Sequence, residues 1–190
     1  MLFYNRLDGP PAPTTHGGIT FRPYEPADAE SLAAFEGRMR RSQFLARIAE
    51  GGFVDLALHG VRPVGYRIVS TRGPRGPLSR VVRLAPDEVW VVDVFCVPEY
   101  RGRGIGVWLS LSMDRRLAAA GYRGMYSANL LDNHAAIRTS LKQGDQFRGV
   151  VTYRRLLFRQ TLIVSTDIGE VLAAVGLTTV PPPPFSPPAT

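Results

Sequence analysis

The sequence of 190 residues contains few of the residues that build disulfides and metal clusters. Its one cysteine, Cys96, excludes an intramolecular disulfide and a zinc site made from a cysteine cluster. The three histidines, His16, His59 and His134, lie far apart in the sequence and do not suggest a metal site. We therefore expect a protein that uses no metal.

Long apolar runs are also missing. No segment reaches the ~18 uninterrupted apolar residues that a membrane helix needs. The first 18 residues contain no apolar core of the signal-peptide type. We therefore expect a cytoplasmic protein without a membrane partner.

Lysine is almost absent, although the formal net charge is +7. Lys142 is the one lysine among 23 basic residues, and the arginines are dispersed or paired, so a polybasic tail is excluded. A GC-rich genome that favours arginine codons explains this composition. The alternative is an anionic partner, such as a phosphorylated cofactor. We expect no nucleic-acid partner, because the sequence has no recognised nucleic-acid motif.

The hydrophobic pattern predicts an α/β domain over residues 19–165. A proline- and glycine-rich arm (1–18) precedes it, and an extension with a proline-rich tail (166–190) follows it. Within the domain, residue spacing predicts a strand, two helices, three strands, a helix, a strand, a helix and two strands. Asp28 and Ser42 are candidate N-caps of the first two helices. This order indicates a mixed sheet with helices.

The strongest strand signal covers residues 89–97 (VWVVDVFCV), as expected for a central strand buried on both faces. Three glycines between residues 102 and 106 follow it, and a predicted helix starts at once. Free N–H groups and the positive end of a helix make such a turn an anion site, typically for phosphate. Glycine lets the phosphate approach closely, and Arg101 and Arg103 add positive charge.

The spacing of glycine and lysine residues distinguishes the known types of phosphate-binding loop. A P-loop requires a lysine after its last glycine, which this turn lacks. A dinucleotide fingerprint fits Gly102 and Gly104 but not Val107 at its third glycine position. The pattern R-x-x-G-x-G, from Arg101 to Gly106, does fit.

The segment DVFCVPEYRGRGIG resembles the acetyl-CoA loop of the GNAT superfamily of N-acetyltransferases, which has the pattern [QR]-x-x-G-x-[GA] after a long central strand. NHAAIRTSLKQGD, from Asn133 to Asp145, is similar to the family helix N-x-x-A-I-x-x-Y-x-x-x-G-F. The likeness spans about residues 19–165. It implies a mixed, mostly antiparallel central sheet flanked by helices. It also implies transfer of an acetyl or other short acyl group from acyl-CoA to a primary amine by direct attack.

The resemblance also implies which residues hold acetyl-CoA. The backbone of the strand end bonds the pantetheine arm, the amides of the turn hold the pyrophosphate, and an asparagine reaches the arm from the second motif. The cofactor-binding residues so implied are Val94, Phe95, Cys96, Arg101, Gly102, Arg103, Gly104, Ile105, Gly106, Val107 and Asn133.

Asp93 is the candidate general base, because it is the one charged residue in an apolar strand. The alternatives are a structural carboxylate at Asp93, and Glu88 or a water chain as the base. Ser140 stands where the family has the tyrosine that protonates the leaving thiolate. Either Tyr126 or Tyr153 does that work, or the thiolate leaves unaided.

We expect the acceptor amine to belong to a small molecule rather than to a protein, and a homodimer is compatible with the sequence. Because Ser140 replaces the usual tyrosine, a non-catalytic module that binds CoA for regulation or interaction is the alternative function.

Overall fold

The computed structural model describes residues 1–7, 14–35, 37–156 and 159–165, so the predicted C-terminal extension lies outside it. The described residues form nine strands and three α-helices, with short 3₁₀ segments between them. The strands are β1 (Leu2–Arg6), β2 (Thr15–His16), β3 (Ile19–Pro23), β4 (Phe53–His59), β5 (Arg62–Ser70), β6 (Glu88–Cys96), β7 (Gly124–Ala128), β8 (Gln146–Leu156) and β9 (Arg159–Ser165). The helices are α1 (Arg41–Ala49), α2 (Ile105–Ala119) and α3 (His134–Lys142).

The chain divides into two compact units, of which the larger comprises residues 5–127. Its strands follow the order β2-β3-β4-β5-β6-β7. Every pairing is antiparallel except that of β6 with β7, which is parallel. Helix α2 packs against β3, β4, β5 and β6. The predicted class, a mixed and mostly antiparallel sheet flanked by helices, is confirmed.

Aromatic rings form one side of the core of the larger unit. Phe35 and Phe44 pack edge-on against Tyr66 of β5, with ring centroids 4.9 and 5.2 Å apart. Leu109 and Met113 of α2 are also completely buried. The side chains of β5 are therefore held rigidly, because protein cores are close-packed.

The smaller unit contains residues 1–4 and the described residues from 128 onward. Residues Leu2–Tyr4 of β1 pair antiparallel with β8, which pairs in turn with β9. Phe3 is fully buried and meets Phe147 edge-on at 6.1 Å. The predicted arm of residues 1–18 contains a strand at Leu2–Arg6, and β8 supplies backbone partners for Leu2–Tyr4. The domain limits themselves stay a prediction.

The first predicted helix is replaced by two 3₁₀ segments, Pro26–Ala29 and Ser31–Phe35. Asp28 does not cap a helix that follows it. Its carboxylate accepts the Glu25 N–H at 2.8 Å and pairs with Arg22 at 2.6 Å. The predicted cap Ser42 is also wrong, because α1 begins at Arg41 and its N-cap is Arg40, two residues before Ser42.

Candidate functional site

Strand β6 separates from β7 partway along its length. The parallel register joins Glu88–Trp90 to Gly124–Tyr126 and stops there. On its other side, β6 stays paired with β5 as far as Cys96. One edge of β6 is therefore open from residue 91 onward. The side chain of Val94 is 41% exposed, so our prediction of a strand buried on both faces is wrong at this end.

A β-bulge accompanies the separation. Opposite β5, Ile68 pairs with Asp93 whereas Val69 pairs with Val91, so Val92 is an extra residue on β6. A bulge bends the strand that carries it and increases its twist. This bend gives a physical reason for β6 to leave β7 after Trp90.

Backbone direction then shows which groups face the open edge. The Val97 N–H donates to the Val64 carbonyl of β5 at 2.9 Å. Because backbone groups alternate in direction along a strand, those of Phe95 also face β5, whereas those of Val94 and Cys96 face the open edge. Our expectation that all three backbones are available to a ligand is therefore corrected for Phe95. Arg101 Nε donates to the Cys96 carbonyl at 3.1 Å.

The glycine turn leads directly into α2. Gly102 and Gly104 have φ values of +76° and +74°, a left-handed conformation that favours glycine whatever the turn binds. Gly104 is the N-cap of α2 and makes no side-chain cap. The first helical bond runs from the Trp108 N–H to the Gly104 carbonyl at 3.1 Å. The N–H groups of Ile105–Val107 therefore have no partner within the helix.

Gly106 differs from the other two glycines. A Cβ at Gly106 would meet no heavy atom within 4 Å, and its φ is not positive. Neither packing nor backbone strain therefore requires glycine there. A side chain in a helix leans toward the N-terminus, so one at this position would enter the space above the free N–H groups.

Two arginines line the turn. The Arg103 guanidinium lies 5.0 Å from the ring centroid of Tyr100 and donates to the Glu99 carbonyl at 3.2 Å. The Arg101 guanidinium lies 5.7 Å from the ring of Phe95. Both side chains are exposed, so they place positive charge beside the start of α2. The turn, its arginines and the open edge of β6 together form the candidate site of the larger unit.

Asp93 lies beside the open edge, with its carboxylate 15% exposed. Its Oδ1 accepts Arg38 Nη2 at 2.9 Å, and its Oδ2 accepts the Tyr66 hydroxyl at 2.8 Å. Burial, and then the charge of Asp93, raise the pKa of Tyr66, which keeps this phenol protonated as a donor. Sequence reasoning missed Tyr66, because its role depends on the β5–β6 register.

Helix α3 carries two further predicted residues, both in the smaller unit. Asn133 is its N-cap, and its side chain accepts the Ala136 N–H at 3.2 Å. Ser140 is buried, and its hydroxyl accepts Asn129 Nδ2 at 3.3 Å. Sequence reasoning missed Asn129, because no motif marks it. Tyr153, one of the alternative proton donors, is 40% exposed.

The described part of the chain contains neither a membrane-spanning helix nor a metal-binding cluster. None of its helices is long and apolar enough to cross a bilayer. No group of three or more histidine, cysteine, aspartate or glutamate side chains there is arranged to hold a metal ion.

The sequence matches the model of the Acetyltransferase (GNAT) family over residues 19–144. A search of curated proteins gives no significant match. Among solved structures, the chain resembles the aminoglycoside N-acetyltransferase AAC(6′)-Iy in complex with CoA. The TM-score is 0.57 at 18% identity, over 72% of this chain and 98% of that one.

Two further structures are similar in fold. The ribosomal-protein-S18-alanine N-acetyltransferase of Escherichia coli has a TM-score of 0.56 at 17% identity, over 80% of this chain and 97% of that one. Arabidopsis thaliana NAA60, in complex with a bisubstrate analogue, has a TM-score of 0.54 at 22% identity, over 77% and 96%.

Proposed function

We propose, from the premise that the chain belongs to the acetyltransferase (GNAT) family, that it moves an acetyl or other short acyl group from acyl-CoA to a primary amine. One observation carries the proposal. The open edge of β6 ends at Cys96, and the bare N-terminus of α2 follows it after residues 97–104. A linear thioester with a diphosphate in its middle needs such a combination, a strand edge for its amide-bearing arm and free N–H groups for its phosphates.

The contacts divide between the turn and the strand. The free amides of Ile105–Val107, with those of the turn before them, hold the pyrophosphate, and Arg101 and Arg103 add charge. On the strand, Val94 offers both its N–H and its carbonyl, whereas the Cys96 carbonyl already accepts a bond from Arg101. The arm therefore pairs mainly with Val94.

Asp93 removes the proton from the acceptor ammonium, directly or through one water. The amine nitrogen then attacks the acyl carbonyl, a C–N bond forms, and the C–S bond breaks. The second proton that the nitrogen loses on becoming an amide passes through water to the departing thiolate or to solvent. A backbone N–H of the open edge polarises the carbonyl oxygen. The bound geometry and the base each lower the barrier, and a positioned base typically contributes ~10²–10⁴-fold.

Cys96 does not take part as a nucleophile in this scheme. Burial raises the pKa of its thiol, whereas a cysteine nucleophile needs a lowered one. Direct attack by the amine is therefore the route we propose.

The proton for the leaving thiolate has no tyrosine donor on α3. Ser140 is buried and already hydrogen-bonded to Asn129. A thiol pKa of about 8.5 lets the thiolate leave unaided near neutral pH. The same observation favours the second candidate function, a non-catalytic module that binds CoA.

The test combines calorimetric titration with acetyl-CoA and a screen of amine acceptors that detects free thiol. We expect Asp93→Asn to lower turnover about a hundredfold or more and to leave CoA affinity nearly unchanged. Its melting temperature should fall by a few degrees, because Arg38 and Tyr66 lose a charged acceptor. Asp87→Asn is the matched control, because the Asp87 carboxylate is 43% exposed and pairs with Arg123.

The outcomes separate the alternatives. A protein that does not bind acetyl-CoA would overturn the proposal, and binding without turnover of any amine would support the non-catalytic module. Joint loss of melting temperature and CoA affinity in Asp93→Asn would make Asp93 structural. Full activity in a stable variant would remove it from the site.

A further inference from the structure

The two partners of Asp93 differ in their exposure to solvent. Tyr66 is completely buried, whereas the side chain of Arg38 is 53% exposed. The backbone N–H of Arg38 donates to the Phe35 carbonyl at 2.8 Å, and Phe35 packs on Tyr66. The backbone of Arg38 is therefore anchored to the core, whereas its guanidinium is held by Asp93 and stays open to a ligand.

The guanidinium of Arg38 has hydrogen-bonding capacity to spare. Among the described residues, Asp93 is the one carboxylate that it pairs with, through Nη2. Tyr66 is its other polar neighbour. A guanidinium carries five N–H donors, so several stay available for a second acceptor.

The segment after Phe35 contains one acidic residue, Glu36, and three arginines, Arg38, Arg40 and Arg41. Arg40 and Arg41 are exposed, and neither forms a salt bridge with a described residue. Glu36 and Asp93 together offset two of these three positive charges, so the net charge stays positive. An anionic group of the acceptor is therefore favoured next to Arg38.

Building on the proposed acyl transfer, we propose that the acceptor is an amine with a carboxylate beside it, as in a free amino acid. Asp93 receives the ammonium, and Arg38 receives the carboxylate. The site places an anion, Asp93, beside a cation, Arg38, and the ligand presents a cation and an anion in the complementary arrangement. A protein N-terminus has no such carboxylate, so the inference selects small acceptors.

The experiment compares acceptors that differ in the carboxylate alone. Wild-type kcat/KM is measured for L-alanine, L-leucine and L-phenylalanine and for the amide of each. In Arg38→Gln we expect the acid-to-amide ratio to fall about tenfold, mainly through a higher KM for the acids. Arg38→Lys should restore part of the ratio. Arg72→Gln should change it less than twofold, because Arg72 is exposed and follows the end of β5 that pairs with Trp90, away from Cys96.

The ratio isolates the role of Arg38. A general disturbance of Asp93 lowers acid and amide alike and leaves the ratio unchanged, and the different basicities of acid and amide cancel between variants. Titration of the acids into the CoA complex gives the same comparison without turnover. An unchanged ratio in Arg38→Gln would overturn the inference. If CoA binds but no carboxylate-bearing amine binds or reacts, the inference fails while the cofactor site stands. If CoA itself does not bind, the proposed function has failed.

Discussion

Replacing Gly106 tests the cofactor loop with little strain in the protein. Gly104→Val is less decisive, because a β-branched residue at a φ of +74° disturbs the turn whether or not a ligand binds there. At Gly106 the backbone is helical, and an added Cβ meets no atom within 4 Å. Both Gly106→Ala and Gly106→Leu should therefore fold.

The two variants should gain stability. Glycine costs a helix about 0.5–1 kcal/mol relative to alanine, and leucine is nearly as good a helix former. For a chain of this size such a gain raises the melting temperature by about 1–4 °C. Most substitutions lower the melting temperature, so an increase would show that the packing around Gly106 is intact.

The two variants should differ in binding. The leucine side chain fills the space over the free N–H groups of Ile105–Val107, and loss of two charge-assisted bonds costs about 3–6 kcal/mol. We expect the Kd for acetyl-CoA to rise about a hundredfold or more. Alanine is short, and the loop pattern accepts it at this position, so Gly106→Ala should bind almost normally.

Calorimetric titration and thermal melting are measured on the same preparations. Unchanged affinity in a stable Gly106→Leu protein would refute the assignment of the pyrophosphate to this turn. A lowered melting temperature in both variants would instead contradict the conclusion that the space over Gly106 is open.

Two further substitutions test Ser140 in the smaller unit and the Arg22–Asp28 ion pair in the larger unit. Ser140→Ala should change the acyl-transfer rate less than about tenfold and cost about 1 kcal/mol of stability, because Asn129 Nδ2 loses its acceptor; a hundredfold slower but well-folded variant would make the serine the proton donor. Asp28→Asn should cost about 2 kcal/mol in urea unfolding at pH 7, because the carboxylate binds Arg22 through two hydrogen bonds. Since Arg22 lowers the pKa of Asp28, this contribution is present above the unfolded value of about 4 and is lost as pH falls through the lower folded value. A stability difference that stays constant from pH 7 to pH 2 would contradict this ion pair.

The sequence alone was sufficient to predict those elements whose structure depends on neighbouring residues in the chain. The first two of the three consecutive strands that we predicted are observed as β4 and β5, because their partners are neighbours in a hairpin. The glycine turn and the start of α2 at Ile105 also follow from a short pattern. The candidate cofactor loop was predictable for the same reason.

Contacts between distant segments were not predictable. The sequence identified Asp93 as an isolated carboxylate, but its partners come from 27 and 55 residues away. Asp28 looked like a helix cap, and its local pattern did not show that Arg22 of β3 would bind it. The Tyr66 contact depends on the β5–β6 register, which residue spacing alone does not determine. Arg22 lies only six residues before Asp28, but the path of the chain between them decides whether the two side chains meet.

The bulge at Val92 connects the shape of the site to its chemistry. A one-residue change of register moves every following side chain to the opposite face of a sheet. The extra residue at 92 therefore bends β6 away from β7, and also sets the face on which Asp93 stands. That is the face of Phe95, which pairs with Tyr66, so the carboxylate comes within reach of the buried phenol. Bulges often contain glycine, but here valine continues an apolar run, and the sequence gives no sign of the change. The open edge of β6 and the position of the candidate base thus depend on the same extra residue.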